Sequence, residues 1–471
     1  IDLSEYDYTN KVKGLLEGRN KINFSKAVKF FIDIISKAIL EAEDGWEYHV
    51  LYRILMPAFI DSLQKAYGTD LPFTTLLPAD TRSPSSTIFD HLYATATLSS
   101  CQGEDIGLLY WEVNGKQEFI NKARIPLDLW AGSYLISLTT LYVLKKMTDE
   151  LGPDSVIKPI LYASPLYDAI IRYNTSKTKE SIQLGEEHLI SLIPGAALVV
   201  VPGSRVKEYA NKVIDWYKEG WKKIYESLLN KFRDEERVNR IKEIKNDVIV
   251  KGYMEKLEKY SDAPPFNISV AYLVIPWDKN RRREILEKLF KDEKLIEHSK
   301  MKELRIVWRI IDQVEHYTDT LYEWKYFVDA LFKYHYLYSR TKTEVRILSK
   351  PIDISDRREL CTNCWSHEAV ISIPKLNEVE DINRLIKEFR EGFDIVVREG
   401  DRLCPYCLLR RHLRLGVSDI LNRLLEIRFT KPDEDLILYP STEDIAGSSF
   451  IYSMLSFFCL LYTSPSPRDR G

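Results

Sequence analysis

The 471-residue chain has no apolar run long enough to cross a bilayer, since the longest, Phe450–Tyr462, falls well short of about 20 residues. Its first 20 residues are charged and hold no apolar segment of the secretion-signal kind, so a cytoplasmic protein without membrane attachment is expected. Cysteine is scarce. Six in this length do not make a disulfide scaffold, and four of them fall into two Cys-x-x-Cys pairs, a usage that fits a reducing compartment and a metal site. Charge of one sign is also lacking: the formal net charge of -3 excludes a global attraction to nucleic acid. Contact with RNA or DNA would need local basic patches or a larger assembly. Internal repeats and low-complexity segments are absent.

What is present is apolar bulk. With 28 Tyr, 18 Phe and 9 Trp there is surface for several cores, and the length itself predicts two to four domains. Apolar positions recur at three and four through residues 22–67, a helical period. A turn-rich segment, Pro78 to Ser86, follows, and Ser85 or Ser86 is placed to cap a helix over Ile88–Leu98. The first 100 residues or so are expected to be all-helical.

Strand candidates then appear at Asp105–Val113, Val156–Tyr162, Ala197–Val201 and Asn267–Ile275. Between them lie helical stretches at 116–150, interrupted near Pro126, and at 204–257. The order β-α-β-β-α-β is the ferredoxin-like plan, in which two crossover helices cover one face of a four-stranded sheet. Residues 281–338 read as helical, 369–373 as strand-like and 415–427 as a helix, while Leu436–Tyr439 begins another strand. The fold class expected is α+β and multidomain. A helical region spans 1–103, the ferredoxin-like unit 104–278, a helical zinc-binding domain 279–430, and the start of a further domain 431–459.

The cysteine pairs are Cys361-Thr-Asn-Cys364 and Cys404-Pro-Tyr-Cys407. Zinc takes thiolates tetrahedrally, and two intervening residues let both sulfurs of a pair converge from one tight knuckle. The long interval between knuckles predicts an inserted helix over 378–391. A redox dithiol would stand alone at a strand-to-helix junction, whereas two pairs imply one closed site. Four cysteines leave no position for a substrate, so the zinc is read as structural. His367 and His412 lie near the knuckles but are read as outside the ligand set, in the surrounding interior or on the surface. Cys101 is read as an ordinary buried thiol, and Cys459 carries no signal.

Several strings occur in the order of one family. They are Pro78-Ala-Asp-Thr-Arg82, Ser86-Thr-Ile-Phe-Asp-His-Leu92, Asp128 to Ser137, Gly152-Pro-Asp-Ser-Val156, Pro165-Leu-Tyr-Asp168, Ile275-Pro-Trp277, Leu403 to Arg411 and Tyr439 to Ala446. Together they resemble the large subunit of type III-B (Cmr) CRISPR–Cas effector complexes, over about residues 50–450. The resemblance implies an N-terminal HD nuclease domain, a palm like those of nucleotide cyclases, a zinc-binding helical domain, and a second palm bearing Gly-Gly-Asp-Asp. It implies partners as well: other Cmr-type subunits, CRISPR RNA and target RNA. The activity implied is synthesis of cyclic oligoadenylate from ATP with Mg²⁺ or Mn²⁺, and in some members DNA cleavage.

The chain departs from that pattern in two places. It contains no Gly-Gly-Asp-Asp and no adjacent pair of aspartates, and palm-type phosphoryl transfer needs paired carboxylates to hold its metals. The chain as given is therefore expected to be inactive as a nucleotidyltransferase, and a non-catalytic scaffold binding RNA and subunits is the alternative. The His-Asp pair is missing too. Asp80, Asp90 and His91 are the candidates for an HD-type metal site; otherwise Asp90 lies on a helix surface and His91 in the core. In the implied first palm, Asp128, Gly132 and Ser133 are the nucleotide-binding candidates. Gly132 would let backbone approach a ligand, and Ser133 would meet a phosphate. Tight packing is the competing reading for that stretch. Arg410, Arg411 and Arg414, with Arg281 to Arg283, are the RNA or partner candidates. The final stretch, 460–471, breaks with everything before it and resembles translated adapter sequence, so it is left outside the expected fold.

Overall fold

The computed structural model describes residues 24–67, 78–80, 83–161, 164–176, 178–190, 192–278, 280, 281, 284, 360–376 and 381–431. Two helices, α1 (Phe24–Glu41) and α2 (Glu47–Tyr67), pack against each other at the start. A small antiparallel hairpin follows, β1 (Pro78–Asp80) with β2 (Ser83–Thr87), and leads into α3 (Ile88–Ser99). The first hundred residues are thus not all-helical. Pro84 and the Ser/Thr run around it disfavour helix, because proline lacks an amide and short hydroxyl side chains compete for backbone partners.

The chain then runs β3 (Ile106–Asn114), α4 (Lys116–Asn121), α5 (Pro126–Leu151), β4 (Val156–Lys158), α6 (Pro165–Thr175), β5 (Ile182–Gln183) and β6 (Ala196–Pro202). It continues through α7 (Val206–Arg233), α8 (Glu235–Ile244), α9 (Tyr253–Ser261) and β7 (Asn267–Ile275). Four strands form one antiparallel sheet in the order β4-β6-β3-β7. Leu109 lies opposite Val199 on one side and Tyr272 on the other, and Trp111 lies opposite Ala197 and Val270. The period of two therefore sends Leu109, Trp111, Val113, Ala197, Val199 and Val201 to a single face, where they join the main core with α5 and α7.

Local signals set these boundaries. Pro126 opens α5 at its first position, after an extended Ile125, and Gly152 closes it at φ 89°. α5 has the length and apolarity of a membrane span, yet most of that stretch is buried inside the protein. α7 approaches α5 closely because Gly220 faces Tyr142, whose Cδ1 would lie 2.8 Å from an added Cβ. Strand β4 stops at Lys158 rather than reaching Tyr162, since Pro159 has no amide to give the ladder. The expected helix over 204–257 is three helices, broken first at Asp234, which caps α8 by accepting from the Arg237 amide at 3.2 Å.

The later part comprises β8 (Ile371–Ser372), α10 (Ile382–Phe393), β9 (Arg402–Leu403), α11 (Pro405–Leu425) and β10 (Phe429–Thr430). β8 pairs antiparallel with β9, and β10 pairs parallel with β5. α10 is the helix expected between the knuckles, shifted to start after Asp381, which accepts from the Arg384 amide. α11 starts ten residues before the expected helix at Leu415, because Pro405 after an extended Cys404 is itself a start signal. α11 lies on both α5 and α7, so one continuous apolar core runs from the sheet to the cysteine region. Most of 281–338, and all of 436–439 and 460–471, lie outside the described residues.

Candidate metal centre

The first knuckle is a backbone turn fixed by its neighbours. The Cys361 amide donates to the His367 carbonyl at 2.9 Å, and the Trp365 amide donates to Cys361 at 3.1 Å. Thr362 ties this turn to the strand before the second knuckle: its amide donates to Arg402 O at 2.8 Å, and its hydroxyl accepts from the Arg402 amide at 3.0 Å. The second knuckle is a helix start. Cys404 is the residue before the first turn of α11 and Cys407 lies within that turn, where unpaired amides and the helix dipole favour a thiolate.

All four sulfurs lie within 4.8 Å of one another, with Cys364 Sγ 3.6 Å from Cys404 Sγ. A tetrahedral zinc with bonds of about 2.3 Å places its thiolates about 3.8 Å apart, so the donor set fits such an ion. Cys361, Cys404 and Cys407 are buried and Cys364 is partly exposed. Hydrogen bonds from Cys361, Cys404 and Cys407 pull the Cys364 thiol far down, while burial pushes Cys404 up. Asn363 donates to Cys407 Sγ at 3.4 Å. Among the described residues this is the only cluster of metal-ligating side chains.

Neither nearby histidine joins the set. The His367 ring packs against Tyr260 and Tyr406, and burial lowers its pKa to about 4. His412 is wholly buried; its Nε2 lies 2.7 Å from Ser227 Oγ and its Nδ1 3.1 Å from Phe393 O. Cys101 is buried and donates to Val201 O at 3.4 Å.

The structure brings together two candidates that the sequence separates by most of the chain. Asp128, in the first turn of α5, and Arg411, in α11, form an ion pair at 2.6 Å with side chains 0% and 2% exposed. Arg411 also lies 3.6 Å from Asp401 and donates to Val396 O at 3.3 Å. Burial pushes the Asp128 carboxyl up and Arg411 pulls it back. Both groups thus meet each other in the interior among the described residues. Arg410 is also buried, donating to Phe119 O with its guanidinium 3.8 Å from the Phe119 ring centre. Arg414 is half-buried. The reason is positional: α11 packs on α5 and α7 along most of its length, so an arginine run within it faces other helices.

Gly132 is buried against α4, where an added Cβ would meet Ile120 at 3.6 Å, and Ser133 is half-buried. Trp130 and Tyr134 of the same stretch donate to Leu189 O and His188 O, at 2.9 and 2.6 Å, and so hold the loop before β6. His91 is exposed on α3, with Phe89 taking the inward position, so His91 is not a core residue. The side chains of Asp80, Asp90, Arg282 and Arg283 lie outside the described residues. Arg281 is exposed and pairs with Asp105 at 3.0 Å. Asp401 and Asn363 went unread in the sequence. Asn363 stands between two ligands and was open to that inference, whereas nothing local marks Asp401.

Comparison with known proteins adds the family context. Residues 108–226 match the family described as CRISPR-associated protein Cmr2, N-terminal. The chain is 28% identical over 439 residues to the CRISPR system CMR subunit Cmr2 of Saccharolobus solfataricus, covering 80% of this chain and 39% of that protein. It is 28% identical over 204 residues to the Cmr subunit Cmr2 of Pyrococcus furiosus, covering 42% of this chain and 21% of that protein. Among solved structures it is similar to a chain of the type III-B Cmr-beta assembly in its apo state, with TM-score 0.53, 24% identity, and 88% of this chain and 41% of that one covered. A chain of the same assembly bound to cognate target RNA gives TM-score 0.53 and 24% identity, covering 93% and 45%. The chain therefore spans less than half the length of these relatives. In sequence the chain is similar to Cmr2 subunits of CRISPR systems, and in fold to a chain of the type III-B Cmr-beta assembly.

Proposed function

We propose that this chain is part of the large subunit of a type III-B CRISPR effector complex, working beside other Cmr-type subunits, a CRISPR RNA and a target RNA. The β-α-β-β-α-β unit serves as the first, ferredoxin-like palm. The cysteine centre holds one structural Zn²⁺ and braces that palm through α11. The observation that carries this reading is the antiparallel order β4-β6-β3-β7, with one face covered by α5 and α7; β4, β6, α5 and most of β3 and α7 fall in residues 108–226, which match Cmr2, and β7 follows them. The proposed division places the palm at 104–278 and the zinc-binding part at 279–430, sharing one core.

In the intact subunit the palm would act with a second one to convert ATP into cyclic oligoadenylate, using Mg²⁺ or Mn²⁺ held by paired carboxylates. This chain contributes shape and support to that reaction. Its sequence has no adjacent aspartates, so labelled ATP and Mg²⁺ should yield no cyclic product with this chain alone. Appearance of labelled product would overturn that assignment. A non-catalytic scaffold is the second reading, favoured by the interior pairing of Asp128 with Arg411. Co-expression with Cmr-type partner subunits and guide RNA tests the shared part of both: the chain should co-purify in the assembled particle, and its exclusion would count against either.

A further inference from the structure

The first knuckle carries an arrangement that metal binding does not require. Trp365, directly after Cys364, has φ 52°, a left-handed backbone conformation that a bulky residue rarely adopts. Glycine would satisfy this turn without strain. The side chain gains only partial burial in exchange, for Trp365 is 47% exposed. Arg124, from the turn before α5, stacks over the ring at 4.9 Å from its centre; it is exposed and has no carboxylate partner among the described residues. Lys122 lies two residues away and pairs with Glu118. Thr362 and Ser366 of the same knuckle are half-buried and polar.

A large aromatic ring held on a tight turn and stacked by one guanidinium suits one kind of ligand. Protein anchors are usually seated among apolar neighbours that exclude water, and this ring stands among polar groups. A nucleobase needs only one π-face to stack on and a cation near its phosphate. We propose that Trp365 and Arg124 form a stacking platform for a base of a single-stranded nucleic acid. This goes beyond the proposed function, with which it shares only the presence of RNA near the chain, and it does not depend on the palm assignment.

The test is fluorescence anisotropy of the 471-residue chain with short fluorescein-labelled single-stranded RNA and DNA of one mixed sequence. Trp365→Gly relieves the positive φ and leaves the four cysteines in place. It should retain zinc yet bind about 5- to 150-fold more weakly, the range that removal of one stacking ring produces. Trp365→Phe should stay within a few-fold of the parent. Arg124→Gln should weaken binding and flatten its salt dependence by about one counterion. Loss on RNA, on DNA or on both upholds the platform and identifies the strand. Unchanged affinity of Trp365→Gly for both strands overturns it, and would leave a protein partner as the better occupant. Should that variant misfold, photocrosslinking of the parent chain to thiouridine-substituted RNA decides: a crosslink on the peptide containing Trp365 supports the platform, and crosslinks only elsewhere overturn it.

Discussion

At the scale of single residues, the interior of α11 carries the most exposed predictions. Gly416 lies one turn after His412, and an added Cβ would sit 2.4 Å from the imidazole Cε1. That ring cannot swing aside without losing Ser227 and the Phe393 carbonyl. Gly416→Ala should therefore cost about 1–3 kcal/mol in urea denaturation, the range for forcing extra volume into a packed site. A neutral or stabilising result would mean the ring is free to move. The Asp128–Arg411 pair gives a larger effect: Arg411→Met leaves a buried carboxylate without its counter-charge, so a loss of about 3–5 kcal/mol is expected. His412 gives a pH dependence. Burial lowers its pKa from 6.5 to about 4. Between those values the unfolded chain binds a proton that the folded chain does not, so stability falls as pH drops from 6.5 toward 4. The slope from this group is at most about 1.4 kcal/mol per pH unit. Denaturation midpoints across that range should fall less steeply for His412→Gln than for the parent.

At the scale of elements, α11 joins the metal centre to the rest: it starts at Cys404, takes Cys407 into its first turn, and lies along α5 and α7. Cys404→Ser should reduce bound zinc below about half an equivalent and lower the melting temperature, as scanning calorimetry with metal analysis would show. Unchanged melting would contradict a structural metal. The sequence made the order of strands and the convergence of the four cysteines legible, because both rest on local signals, period-two apolar runs and Cys-x-x-Cys spacing. It hid the environment of Asp128 and Arg411. Their partnership is set by α11 lying on α5, a contact between positions nearly three hundred residues apart in the chain. The hairpin at 78–87 was hidden for a different reason: a Ser/Pro-rich run reads as a turn whether or not its arms pair.

At the scale of the whole molecule, the cysteine centre and the sheet share one core rather than forming two. Phe119 of α4, Phe266 before β7 and Tyr406 of the second knuckle touch ring to ring across the boundary that the sequence suggests between palm and zinc-binding part. Trp221 of α7 meets both Phe266 and Tyr406. A metal held by the four cysteines would thus stabilise the sheet as well as its own loop. The most direct measurement is calorimetric unfolding of the chain before and after zinc is removed by a chelator. The shared core predicts about one zinc per chain and a drop in the main transition, sheet included, once the metal is gone. A main transition that stays where it was, with only a small local event lost, would contradict it.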